Sequence, residues 1–182
     1  GYLRLTPAMS RKRARRGERR RVGLVWAGSR DHDNDNNRSI PFESFCSLLD
    51  LPGIDFISLQ KERNVEQARW AGDTGLFYDA AARLNDFLDT AKIVADLDLV
   101  ISVDTAVAHL AGAMGCECWC LLPFSPDWRG LLSGETTPWY PTLRLFRQSD
   151  DRDWGPVLKR VRDGLERAKG KPEMKDPLAR DT

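Results

Sequence analysis

The chain has 182 residues, of which 41% are apolar and 30% charged, and its formal net charge is +1. These values are typical of one soluble globular domain, and no stretch approaches the roughly 20 uncharged apolar residues of a membrane-spanning helix. The basic N-terminal residues precede no apolar run, so we expect no secretory signal. Four cysteines, three of them in one apolar run, are more typical of a reducing cytoplasm than of a disulfide framework.

Basic residues are concentrated near the N-terminus. Residues 11–21 hold eight Lys or Arg and one Glu, a local charge of +7, which leaves −6 for the remainder. We interpret residues 1–21 as a basic linker or exposed helix. Nucleic-acid binding is the alternative, but no aromatic residue interrupts the run to stack on bases, so nucleic acid is not the expected partner.

Short apolar runs predict six strands, at residues 22–27, 54–59, 76–78, 99–103, 116–122 and 143–146. Helical patterns separate them, and these lie between Ser39 (as N-cap) and Pro52, and over 89–97 (N-capped near Asp86 or Asp89), 106–114 and 154–168. This alternation predicts an α/β fold over residues 22–168, a doubly wound, Rossmann-like parallel sheet with right-handed crossovers. A polar tail follows at 169–182.

Three loops follow strands of the predicted sheet and therefore lie at its carboxyl edge, where ligands bind in such folds. They are residues 28–39, the turn at Asp104, and residues 124–141. The third is too long for a simple connection, so we expect a binding loop or a short helix. At Asp104 a buried strand turns directly into a helix, whose unpaired N–H groups and positive dipole end favour phosphate. The sequence therefore predicts a nucleotide-sugar site.

The turn supplies the central candidates. Asp104 is expected to contact sugar or ribose hydroxyls, or alternatively to cap the helix. Thr105 and Ala106 would offer backbone N–H groups to a diphosphate, with the Thr105 hydroxyl as a further donor, unless they form an ordinary first turn. His109 lies one turn later, and it either stabilises the departing nucleotide or is a core histidine. Asp104 and His109 are the predicted catalytic pair.

Donor-binding candidates also lie in the other loops. Gly28 and Ser29 follow the first strand, where the backbone must approach a ligand or turn sharply. Arg38 has the geometry of a phosphate clamp, with a surface arginine as the alternative. Gln60 ends a strand at the same edge and is a candidate for base or sugar recognition.

The long loop contributes Asp127, Trp128 and Arg129, of which Trp128 could stack on a ring and Arg129 could reach phosphate. Trp139 and Tyr140 are better explained by packing of this loop onto the domain.

We expect no metal and no further cofactor. Cys116, Cys118 and Cys120 stand in a row along one strand face, which favours burial as small apolar residues over convergence on an ion. The acidic series Asp31, Asp33 and Asp35 lacks the glycine and glutamate that would complete a calcium loop.

Seven blocks in one order carry a resemblance to a known family: VGLVWAG (22–28), NNRSIP (36–41), SLQ (58–60), ISVDTAVAHLAG (101–112), LPFSPDWR (122–129), PWYP (138–141) and LFRQ (145–148). Together, over about residues 22–165, they resemble the C-terminal part of bacterial tetratricopeptide-repeat proteins that carry a glycosyltransferase domain related to the family 9 heptosyltransferases. No repeat of about 34 residues is found in this chain itself.

The resemblance implies the donor-binding, C-terminal half of a GT-B glycosyltransferase with a nucleotide-sugar donor. It also implies that the catalytic base and the repeats belong to other parts of the parent protein, so that this chain by itself is expected to bind donor without turning it over. The acceptor, a protein or a glycan, is left open. A non-catalytic module that binds a nucleotide or a protein is the alternative function.

Overall fold

The computed structural model describes residues 3, 19–62 and 77–168. Its six strands form one parallel sheet in the order β3-β2-β1-β4-β5-β6. The strands are β1 (Arg20–Val25), β2 (Ile54–Ser58), β3 (Phe77–Asp79), β4 (Leu99–Val103), β5 (Cys118–Leu122) and β6 (Leu143–Arg147). The predicted α/β, doubly wound, Rossmann-like fold is confirmed.

The described residues form five α-helices, four between strands and one after β6: α1 (Asp35–Arg38), α2 (Phe42–Phe45), α3 (Phe87–Ala95), α4 (Ala106–Ala113) and α5 (Gly155–Ala168). Three 3-10 turns accompany them, at Cys46–Leu48, Ala81–Arg83 and Trp128–Gly130. None of the helices in the described ranges has the length and apolar character needed to span a membrane. The predicted polar tail, and the predicted N-terminal linker apart from Leu3 and residues 19–21, lie outside the described residues.

Both faces of the sheet are covered, which explains why its central strands read as continuous apolar runs. All five residues of β4 are buried. Leu99, Ile101 and Val103 belong to the core on the side of α2 and α5, whereas Val100 belongs to the core on the side of α3 and α4.

The cysteine row belongs to the second of these cores. Cys116, Cys118 and Cys120 are buried there, as predicted. Burial raises the pKa of the Cys118 and Cys120 thiols well above its ordinary value, so both are neutral, inert core residues.

The first strand begins two residues earlier than predicted. Arg20 and Arg21 pair through their backbones with Ile54 and Asp55 of β2. Hydropathy missed them because they are charged, but the Arg20 guanidinium lies 3.2 Å from a carboxylate oxygen of Glu117. Arg20 and Arg21, which belong to the basic N-terminal run, are therefore part of the sheet.

The prediction that Ser39 caps a helix is wrong. Ser39 ends α1, a short helix that was not predicted, and Pro41 is the N-cap of α2. The Ser39 hydroxyl instead accepts a hydrogen bond from the Gly28 N–H at 3.0 Å and donates to Asp35 Oδ1 at 2.9 Å. The polar loop after β1 is therefore folded back on itself.

Tyr140 packs the long loop onto α4, as predicted. A Cβ atom added at Gly112 would lie 2.5 Å from Tyr140 Cγ. We expect Gly112→Ala to lower the melting temperature, because overpacking costs about 1–3 kcal/mol and outweighs the helix-propensity gain of about 1 kcal/mol. In a Tyr140→Ala background the same substitution should raise it. An equal fall in both backgrounds, measured by thermal unfolding, would contradict this packing.

Candidate functional site: a cleft at the carboxyl edge of the sheet

A cleft of about 530 Å³ opens at the carboxyl edge of the sheet. It lies beside the boundary between β1 and β4, where the strand order reverses and where doubly wound sheets bind their ligands. Six of the predicted donor-binding residues line it: Gly28, Ser29, Arg38, Gln60, Thr105 and Ala106.

The N-terminus of α4 forms one wall of this cleft. Thr105 is its N-cap, in extended conformation, yet within the described part of the chain its side chain makes no capping hydrogen bond. Its hydroxyl lies 2.9 Å from Ser102 Oγ, and Ser102 uses its own proton on the Val103 carbonyl. The Thr105 proton is therefore taken by Ser102. The first-turn N–H groups of α4 are left without a side-chain cap beside the cleft.

Asp104 does not cap this helix. Its carboxylate lies 3.7 Å from His109 Nε2, and both side chains line a second, small pocket of about 20 Å³ together with Arg129. His109 also packs against Tyr140, with ring centroids 5.7 Å apart and the rings tilted by 59°. The turn between Asp104 and Thr105 thus separates two groups of predicted residues. Thr105 and Ala106 line the large cleft, whereas Asp104 and His109 line the small pocket.

Arg38 joins the two loops that border the cleft. Its side chain is only 12% exposed. Nε donates to Asp35 Oδ1 at 3.2 Å, and Nη1 donates to the carbonyl oxygen of Asp104 at 3.0 Å. The guanidinium is therefore held by protein groups and places a positive charge in the cleft wall.

Gly28 and Gln60 shape the floor. A Cβ atom at Gly28 would overlap the Arg38 guanidinium, so a larger residue at this position would have to displace that group. Gln60 is 4% exposed, and its amide group pairs with both backbone groups of Ala27, at 3.1 and 3.0 Å. The Gln60 side chain therefore fixes the end of β1.

The opposite wall was missed by sequence reasoning. It is formed by the loop after β2 and the start of α3, including Lys61, Asn85 and Phe87. Asp86 caps α3 by accepting a hydrogen bond from the Asp89 N–H at 2.8 Å. Phe87 is exposed beside this cap, and the signal available in the sequence was an aromatic residue directly after an Asp suited to the N-cap position.

The long loop after β5 contains the predicted short helix, the 3-10 turn Trp128–Gly130. Asp127 caps it and pairs with Arg129 Nη1 at 2.8 Å. Partial burial raises the pKa of Asp127, but the backbone N–H and guanidinium of Arg129 outweigh this effect and hold the pKa below its ordinary value. Asp127 and Trp128 line neither pocket. Trp128 is 63% exposed and packs edge-on against Trp139.

Arg147 organises this loop, a role that its position in a half-buried strand did not reveal. Its guanidinium donates to the carbonyl oxygens of Gly130, Leu131 (3.0 Å), Ser133 (3.3 Å) and Gly134 (3.0 Å). Burial lowers the pKa of Arg147, but the group stays charged at neutral pH. A single side chain thus fixes the loop next to the second pocket.

We expect Arg147→Lys to open this loop, because one ammonium cannot reproduce the planar fork of a guanidinium. Chymotrypsin should cleave after Leu131 and Leu132 faster than in the wild type, and stability should fall by about 1–3 kcal/mol. The matched control is Arg144→Lys on the same strand, which alters an exposed pair with Glu135 and a cation–π contact with Phe146 but no backbone carbonyl contact of the loop. Equal cleavage of the two variants would contradict this role of Arg147.

Known proteins share parts of this sequence and of this fold. No family model matches the chain. Protein FlbA of Caulobacter vibrioides (strain ATCC 19089 / CIP 103742 / CB 15) is 30% identical over 149 residues, which are 80% of this chain and 25% of that protein. The chain therefore spans about a quarter of the length of this curated relative.

Two solved structures of the E. coli heptosyltransferase WaaC share the fold. The structure with ADP-2-deoxy-2-fluoro heptose has a TM-score of 0.57 and 17% identity over 83% of this chain and 44% of WaaC. The structure with ADP has a TM-score of 0.54 and 18% identity over 82% of this chain and 44% of WaaC. The chain thus has a glycosyltransferase-like, Rossmann-type fold similar to part of a heptosyltransferase.

Proposed function

We propose that this chain is the donor-binding half of a glycosyltransferase and binds a nucleoside-diphosphate sugar in the cleft between β1 and β4. The observation that carries this proposal is the N-terminus of α4, which lines the cleft without a side-chain cap because the Thr105 hydroxyl bonds to Ser102. The similarity to WaaC, whose structures hold ADP and an ADP-sugar analogue, supports it.

The diphosphate would be held by the first-turn N–H groups of α4, with the positive helix dipole and the Arg38 guanidinium beside it. The backbone at Gly28 and Ser29 allows close approach from the other side. Leu59, Leu84 and Phe87 line the same cleft and offer an apolar surface to the nucleoside. We propose no metal, and assign the phosphate contacts to the α4 N–H groups and the Arg38 guanidinium.

The second pocket, of about 20 Å³, is too small to enclose a sugar ring, so the sugar end of the donor would lie over its mouth. His109 and Asp104 lie directly across the turn from the α4 amides, so a donor that bends over this turn would bring its leaving oxygen to His109. His109 would then stabilise negative charge on the departing nucleoside diphosphate, with Asp104 keeping the ring oriented. Arg129 lines the same pocket. The base that deprotonates the acceptor would come from the N-terminal half of a parent protein with tetratricopeptide repeats.

Removing one backbone donor tests the phosphate site. Ala106 is the first residue of α4, where proline is tolerated, and extended Thr105 is compatible with a following proline. Ala106→Pro should lower affinity for nucleoside diphosphates about tenfold without lowering the melting temperature of the free protein. The control Ala106→Ser keeps the N–H group. Titration calorimetry with ADP, GDP and UDP measures the effect, and unchanged binding by Ala106→Pro would refute the site.

A full-length parent protein separates transfer from binding alone. We expect the parent, but not this chain by itself, to transfer sugar, and His109→Gln to lower kcat about 100-fold with a much smaller change in donor affinity. A parent that binds donor and never transfers or hydrolyses it would instead favour the non-catalytic binding module. A His109→Gln variant with normal kcat would remove His109 from the catalytic set.

A further inference from the structure

An acidic side chain is paired with Arg38, which lines the cleft where the proposed function expects an anion. Asp35 is the first residue of α1, and its side chain is 14% exposed. Its Oδ1 accepts hydrogen bonds from Arg38 Nε at 3.2 Å and from the Ser39 hydroxyl at 2.9 Å. A carboxylate beside a diphosphate would repel it, so its presence calls for a different explanation from ligand contact.

We propose that Asp35 is a positioning residue, which builds the phosphate site by holding Arg38 and Ser39 and does not touch the ligand. The inference rests on the proposed function, because the groups that Asp35 positions are those assigned there to the donor. It adds a role for a residue that neither the loop pattern nor the cleft lining identifies.

Two series of hydrogen bonds start at Asp35 Oδ1. Through Ser39, Asp35 fixes the loop after β1, since the Ser39 hydroxyl accepts the Gly28 N–H at 3.0 Å. Through Arg38, it fixes the turn after β4, because Arg38 Nη1 donates to the Asp104 carbonyl at 3.0 Å. Asp35 thereby couples the two loops on either side of the boundary between β1 and β4.

The second series of hydrogen bonds, through Arg38, bears on the turn that leads into α4. The peptide unit that joins Asp104 and Thr105 is planar and trans, so its carbonyl and N–H point in opposite directions. When Arg38 holds the carbonyl, the direction of the Thr105 N–H is fixed as well. The tight space at Gly28, where a Cβ atom would lie 2.5 Å from Asp35 Oδ1, leaves little room for Asp35 to move.

The negative charge of Asp35 allows the positioning role to be tested by the sign of the change in diphosphate affinity when Asp35 is removed. If the Arg38 charge alone mattered, removing the negative charge of Asp35 would leave diphosphate affinity unchanged or raise it. If Asp35 positions the site, its removal lowers affinity although the site becomes more positive. The two roles therefore predict opposite changes for the same variant.

The experiment compares Asp35→Ala with Asp33→Ala in the chain described here. Asp33 is an exposed acid of the same loop, so the control removes the same charge without touching the contacts. We expect Asp35→Ala to weaken ADP, GDP or UDP binding about tenfold, and Asp33→Ala to leave it equal or tighter. Asp35→Asn, which keeps a neutral acceptor, should fall between them. Binding of the corresponding nucleoside, which lacks phosphate, should change less than twofold in every variant.

Each outcome decides the proposal. A selective loss of diphosphate binding in Asp35→Ala supports it, whereas equal or tighter binding overturns it. An equal loss for nucleoside and nucleoside diphosphate would indicate general unfolding of the loop and would also overturn it. If the wild type binds none of the three diphosphates, the proposed function fails, and this inference fails with it. Wild-type binding without an effect of Asp35→Ala leaves the proposed function intact and removes this inference alone.

Discussion

The candidate site depends on one local arrangement, the junction of β4 and α4. A helix leaves its first N–H groups without intrahelical partners, and a Ser, Thr or Asp at the N-cap normally satisfies one of them. Thr105 occupies the N-cap here, but its hydroxyl is bonded to buried Ser102. The chain thus has a suitable capping residue whose side chain is turned to another use. The donors remain beside a cleft large enough for a nucleotide.

The sheet topology gives this junction its surroundings. In the strand order β3-β2-β1-β4-β5-β6, the strand that follows β1 lies on one side of the β1–β4 pair and the strand that follows β4 lies on the other. A crevice therefore forms at the carboxyl ends of β1 and β4. The loop after β1 then faces the turn after β4. Asp35, Ser39 and Arg38 connect them with hydrogen bonds of 2.9 to 3.2 Å. The site is therefore a preformed one, which limits the conformational cost of binding.

Much of the fold could be predicted because burial on both faces gives central strands an unbroken apolar sequence. β4 was predicted residue for residue, and the carboxyl-edge rule selected two of the loops that border the cleft, those after β1 and β4. Strand ends were less predictable. Arg20 belongs to β1 through backbone pairing, which hydropathy cannot detect. Ser39 is a residue type favoured at helix N-caps, but it is the C-cap of α1.

The division of the candidate site could not be predicted from helical spacing. The sequence placed His109 one helical turn after Thr105 in a single site, yet the structure separates Asp104 and His109 from Thr105. Thr105 is extended, and successive side chains of extended backbone point to opposite sides. The role of Arg147 was invisible for another reason, because its partners are four backbone carbonyls, which leave no trace in the side-chain sequence.

A crystal structure of the chain with a bound nucleoside diphosphate would test the central claim most directly. We expect phosphate oxygens about 2.7–3.1 Å from the backbone nitrogen atoms at the start of α4, with the nucleoside toward Phe87. A diphosphate bound elsewhere, with the α4 amides facing only solvent or protein, would contradict it.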